Sequence, residues 1–97
     1  MVSWVEVKSF TLTTDKDTYK QGETIHAQCK IVTGYGNSTS ARIVLSGITT
    51  VIKTFTIKPN TTQQINIDMS IPSYTNPGTY TLTAELDEYW EGGPTPI

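Results

Sequence analysis

Apolar and polar residues alternate with a period of two along most of the chain. Between Glu23 and Thr33, Ile25, Ala27, Cys29 and Ile31 take the odd positions, with Thr24, His26, Gln28 and Lys30 between them. Gln64–Ile71 repeats the pattern through Ile65, Ile67, Met69 and Ile71, and Thr79–Leu86 through Tyr80, Leu82, Ala84 and Leu86. Neighbouring strand residues point to opposite faces, so this alternation predicts antiparallel sheets with one dry and one wet side. Ala41–Ile48 and Thr50–Lys58 are noisier strands, with Ile43, Leu45, Val51, Phe55 and Ile57 as inward candidates. No window carries a helical period. The chain reads as all-β.

The first strand changes phase. Val5 and Val7 are apolar on odd positions, then Phe10 and Leu12 on even ones. A one-residue slip flips every later side chain to the other face, so the sequence predicts a bulge or a crossing between sheets. Turn residues separate the runs: Asp15–Gly22, then Gly34, Gly36 and Asn37, then Pro59–Thr62, then Pro72–Gly78. Strand starts therefore recur at roughly 8–20 residues, the rhythm of a β-sandwich. Gly92–Ile97 is dominated by Gly and Pro and reads as a linker or tail. The expected organisation is one domain over residues 1–88 and a C-terminal tail over 89–97.

At 97 residues the chain has the size of one domain, and it is large enough to bury a modest core. Seven Lys and Arg against nine Asp and Glu leave no basic footprint for nucleic acid. Threonine is the outlier, with 18 residues, and its β-branched side chain suits the half-exposed face of a strand. A wet surface built from hydroxyls favours an extracellular or cell-surface setting. The N-terminal MVSWVEVKSF has no apolar run or cleavage site of a signal peptide, and no stretch approaches the ~20 apolar residues of a membrane helix. Membrane insertion is not expected. Cys29 is the single cysteine, so no internal disulfide forms.

Two stretches carry a family resemblance. Asn76-Pro77-Gly78-Thr79-Tyr80-Thr81-Leu82-Thr83-Ala84 resembles the tyrosine corner of immunoglobulin-like domains, in which a Tyr hydroxyl ties the preceding turn. The resemblance implies that Leu82 and Cys29 stand where an antibody domain has its two bridging cysteines, with Cys29 reduced to a small buried hydrophobe. The core Trp of the third strand is missing from Ala41–Ile48, which argues against the antibody type itself. The second stretch, Asp15-Lys16-Asp17-Thr18-Tyr19-Lys20-Gln21-Gly22-Glu23-Thr24-Ile25, is similar to the opening of macroglobulin-type domains and prokaryotic surface-adhesion sandwiches. Their Ile-Pro and Pro-Gly-x-Tyr-x-Leu resemble Ile71-Pro72 and Pro77–Leu82. One lobe of an arrestin-like protein resembles the same features, with Leu45-Ser46-Gly47. These likenesses imply an immunoglobulin-like antiparallel β-sandwich of about seven strands, with Gly22, Gly78, Tyr80, Leu82 and Cys29 in structural roles.

Catalysis finds little support in the sequence. His26 and Cys29 lie three apart on one strand, face opposite sides and cannot share a proton. No second histidine exists, so the spacing of a metal site built on His and Cys is absent. Asp15 and Asp17 lie outside any complete Ca²⁺ loop and read as turn residues. No cofactor is expected. Asn37-Ser38-Thr39 and Asn60-Thr61-Thr62 are candidate glycosylation acceptors.

In an immunoglobulin-like topology both acceptors share a pole with Tyr35 and Trp90, while Tyr19 and Tyr74 take the other. Tyr35, Tyr74 and Trp90 are the candidate contact residues. Six strands are strong. Either the first splits at its phase slip to cover a sheet edge, or one edge stays open to a partner strand or a second copy. The sequence thus points to a non-catalytic binding or structural module of a cell-surface, secreted or virion assembly, acting through loop tips or an open strand edge on a protein partner or a second copy. The alternatives are an intracellular arrestin-like adaptor lobe and a small carbohydrate-binding module using the exposed aromatics.

Overall fold

The computed structural model describes the backbone of residues 5–90 and 93–96 and the side chains of residues 5–87. The described residues form strands joined by turns and irregular segments, with no helix. In chain order they are β1 (Val5–Thr14), β2 (Thr24–Gly36), β3 (Thr39–Ser46), β4 (Val51–Ile57), β5 (Thr62–Ser70), β6 (Thr83–Trp90) and β7 (Gly93–Pro96). They make two antiparallel sheets, one ordered β1-β2-β5 and the other β4-β3-β6-β7.

The alternation in sequence becomes the burial pattern. Ile25, Ala27, Cys29 and Ile31 of β2 and Ile67 and Met69 of β5 are buried, while His26, Gln28 and Lys30 between them are exposed. From the second sheet, Ala41, Ile43 and Leu45 of β3, Ile57 of β4 and Leu86 of β6 join the same apolar cluster. A fully buried aliphatic side chain of this kind stabilises by about 1.5–3 kcal/mol relative to exposure, so this shared cluster is the main cohesive force.

The phase slip of the first strand is a bulge. Pairing of β1 with β2 shifts register between Val5 and Val7 and again between Val7 and Ser9, then runs regularly from Phe10↔Ile31 to Thr14↔Ala27. The extra residues let Val5 enter the core and Leu12 still pack against it. β1 remains one continuous strand within a single sheet.

Two segments differ from the sequence reading. Thr79–Leu82 alternates like a strand yet stays irregular, because the last rung between β3 and β6 is Ser46↔Thr83. β3 ends at Ser46, and Gly47 after it takes a φ of +140°, so residues 79–82 make no rung with β3. The stretch 89–97, read as a tail, holds the end of β6 and the whole of β7, with Asp87↔Pro96 and Trp90↔Gly93 as outer rungs. Pro94 and Pro96 suppress a strand reading, yet proline is tolerated on an edge strand, and β7 is one.

Candidate functional site

The loop after β2 and the loop after β4 meet at one pole. The Asn60 amide donates to the Gly34 carbonyl at 2.7 Å, and the Thr33 amide donates to the Thr61 carbonyl at 2.9 Å. The buried Thr33 hydroxyl donates to the Lys58 carbonyl at 2.6 Å and accepts the Thr61 amide at 3.0 Å. Asn60 itself has φ of +53°, a left-handed conformation that Asn tolerates. The acceptor Asn37 immediately follows β2, so Asn37, Asn60 and the 59%-exposed Tyr35 share this pole. The backbone of Trp90 ends β6 beside the start of β3, where Ser40 pairs with Tyr89. The Trp90 side chain lies outside the described residues.

At the opposite pole the connection from β1 to β2 is clasped by charge and hydroxyl contacts. The Tyr19 hydroxyl donates to Asp15 Oδ1 at 2.5 Å and accepts the Lys16 amide at 3.0 Å. Asp15 Oδ1 also takes the His26 amide at 3.2 Å. The Tyr19 hydrogen bond holds the Asp15 carboxyl below its ordinary range. Glu23 accepts from Lys16 Nζ at 2.7 Å and from the Lys20 amide at 2.6 Å, and its carboxyl is lowered chiefly by Lys16. Gly22, with φ of +81°, donates its amide to the Ile71 carbonyl at 3.0 Å, so glycine is required for this turn. Gln21 donates its side-chain amide to the Thr75 carbonyl, joining the two loops.

The irregular segment 71–82 completes this pole. The Tyr80 hydroxyl donates to the Asn76 carbonyl at 2.5 Å, and Leu82 packs against the apolar cluster. Gly78 has ordinary backbone geometry, and a Cβ there would meet only the Tyr80 ring at 3.9 Å. Tyr74 is 78% exposed. A groove of about 1020 Å³ opens here, with Leu12, Ile25, Ile48, Ile71 and Leu82 as apolar walls and Tyr19 and Tyr80 at its sides. The candidate contact aromatics Tyr35 and Tyr74 are thus at opposite ends and form no common patch.

His26 and Cys29 face opposite sides of β2, as their parity requires. His26 is exposed and pairs through Nδ1 with Asp68 Oδ1 at 2.8 Å, which raises its pKa through that hydrogen bond and then the Asp68 charge. Cys29 is fully buried between Leu12 and Ile65 on the neighbouring strands, and burial pushes its thiol up. Among the described residues, no three His, Cys, Asp or Glu side chains are placed to hold a metal ion.

The least expected geometry lies on β6. β3 flanks this strand from Thr83 to Tyr89, while β7 flanks its other side only from Asp87 to Trp90. Among the described residues, nothing pairs with Thr83–Leu86 on that second side. Leu86 faces the core, so Glu85 and Asp87 share the outer face beside Arg42 of β3. Asp87 is 2% exposed; its Oδ2 accepts from Arg42 Nε at 3.1 Å, and its Oδ1 has no hydrogen-bond partner. The proton that Glu85 can share with Asp87, and then the charge of Asp87, raise the Glu85 pKa. The alternation reads Glu85 and Asp87 as solvated polar positions. Two acids two apart on one strand, opposite a lone Arg in a lightly charged chain, are the only trace of this arrangement in the sequence.

No protein-family model matches the chain, and no characterised protein or solved structure is significantly similar to it.

Proposed function

We infer that this chain is a non-catalytic binding module, an immunoglobulin-like β-sandwich of about seven strands serving a cell-surface, secreted or virion assembly. The three-plus-four division of the strands, the apolar cluster drawn from both sheets and the Tyr80 hydroxyl on the Asn76 carbonyl support that architecture. Similarity to macroglobulin-type and surface-adhesion domains is consistent with the Tyr19–Glu23 clasp. The module acts on a protein partner through a strand edge. The observation that carries this reading is β6, whose Thr83–Leu86 edge has no partner strand on its second side among the described residues.

Function then lives in main-chain pairing, with side chains setting the choice of partner. No cofactor enters. The test is titration of isotopically labelled protein with extended peptides and, separately, with a glycan panel using Trp90→Ala as control. Peptides should shift resonances along a strand edge while glycans leave the spectrum unchanged. Glycan binding abolished by Trp90→Ala would replace this reading with a carbohydrate-binding one.

A further inference from the structure

We propose that β5 pairs antiparallel with β5 of a second copy of this chain, joining two three-stranded sheets into one of six strands. This contact is separate from the β6 edge and goes beyond the reading above.

Four strands border the two sheets, β1 and β5 in one and β4 and β7 in the other. A bordering strand invites pairing unless a bulge, proline, short length or inward-pointing charge blocks it. β1 shifts register on either side of Val7 and carries Lys8. β7 has four residues, and Pro94 and Pro96 are among them. On β4, Lys53 lies opposite the buried Ile43, so a charge takes a core-side position at that edge. β5 has none of these blocks. Its 9 residues keep one register with β2 from Val32↔Thr62 to Thr24↔Ser70, and it contains no proline, lysine or arginine.

Among the described residues, nothing pairs with the second side of β5. The segments entering and leaving the strand are both described, and both are held toward β2. Before β5 the Thr33 amide donates to the Thr61 carbonyl, and after it the Ile71 amide donates to the Glu23 carbonyl. The open side thus follows from the strand's own neighbours in the chain.

The sequence of β5 is its own complement. Full overlap of two copies puts a two-fold axis at Asn66, which then lies opposite its own counterpart. On the same exposed face Asp68 meets Gln64 and Thr62 meets Ser70, while on the inner face Ile65 meets Ile67. No like charges oppose one another, and the Gln64 amide can donate to the Asp68 carboxylate. Moving the axis to Asp68 would set two carboxylates together and shorten the overlap. A slip of one residue would turn the copy's apolar row to the wet side. Charge and facing therefore select the full register.

Sedimentation equilibrium of the full chain over a concentration series should show a monomer–dimer equilibrium. Gln64→Lys, at an exposed position, sets a cation opposite Asp68 of the other copy twice in the interface and should tighten the dimer about tenfold. Asn66→Lys sets lysine against lysine on the axis and should weaken it by a comparable factor. Ile52→Lys, at an exposed position on β4, should leave it unchanged. A chain that stays monomeric at millimolar concentration, both as it is and as Gln64→Lys, would refute the contact. So would a dimer that Ile52→Lys breaks and the two β5 substitutions do not affect. Either result leaves the β6 reading standing, since peptide pairing there does not involve β5.

Discussion

Tyr80 reaches back four residues to place its hydroxyl 2.5 Å from the carbonyl oxygen of Asn76, closing the Asn76-Pro77-Gly78 bend on itself. The ring is 43% exposed, so this bond contributes through the turn it fixes rather than through burial of the ring. Tyr80→Phe keeps the ring and deletes the donor. It should cost about 0.5–1.5 kcal/mol in urea denaturation with an unchanged slope. A loss below the error of the measurement would show that the bend holds without the bond.

Thr33 ties β2 to the turn between β4 and β5 and thereby positions the pole with Asn37 and Asn60. In Thr33→Val the shape is retained, but the part-buried Thr61 amide loses its 3.0 Å side-chain acceptor. The expected cost is about 1–3 kcal/mol, since a donor is left unsatisfied. Thermal or urea unfolding checks it, and a neutral variant would mean that water reaches the amide.

Gly47 and Gly22 both have positive φ, yet they are not equivalent. A Cβ on Gly47 would sit 2.5 Å from the Thr81 carbonyl oxygen, whereas a Cβ on Gly22 meets nothing within 4 Å. Gly22→Ala carries backbone strain alone, about 1–2 kcal/mol. Gly47→Ala adds displacement of Thr81 and Leu82, so it should be the more destabilising and should shift the amide resonances of residues 79–82. Equal costs for the two would contradict the close approach.

The His26–Asp68 pair makes a pH-dependent contribution whose sign is fixed. The folded His26 pKa lies above its unfolded value of about 6.5 because Asp68 hydrogen-bonds to it and attracts its charge. With Asp68 ionised, the added stability is fully present below that unfolded value and is lost as pH rises through the higher folded pKa. An NMR titration of the imidazole should show the pKa falling in Asp68→Asn. An unchanged titration would remove the pair from the account. Both side chains are exposed, so salt should weaken the effect.

Much of the fold is legible in the sequence because its strands have one dry face. Ile25, Ala27, Cys29 and Ile31 read as a buried row and are one, and the slip between Val7 and Phe10 reads as a bulge and is one. Legibility fails where pairing depends on a neighbour's length. Thr79–Leu82 has the period of a strand, but β3 ends at Ser46, one rung too soon to pair with it. Gly93–Pro96 has the composition of a tail, but an edge position spares its prolines from donating inward. The site was less legible than the fold. Asp87 occupies a polar place in the alternation, and its burial with a missing partner is set by residues distant in sequence, Arg42 among them.

The Thr83–Leu86 edge of β6, which has no second partner among the described residues, is measured most directly by amide hydrogen exchange. In a strand with one neighbour, alternate amides bond inward to that neighbour and the others face the open side. Alternate amides within Thr83–Leu86 should therefore exchange rapidly, while protection becomes continuous from Asp87 onward, where β7 takes the second side. Uniform slow exchange from Thr83 through Tyr89 would mean that the edge is already filled, and the strand-accepting module would be contradicted.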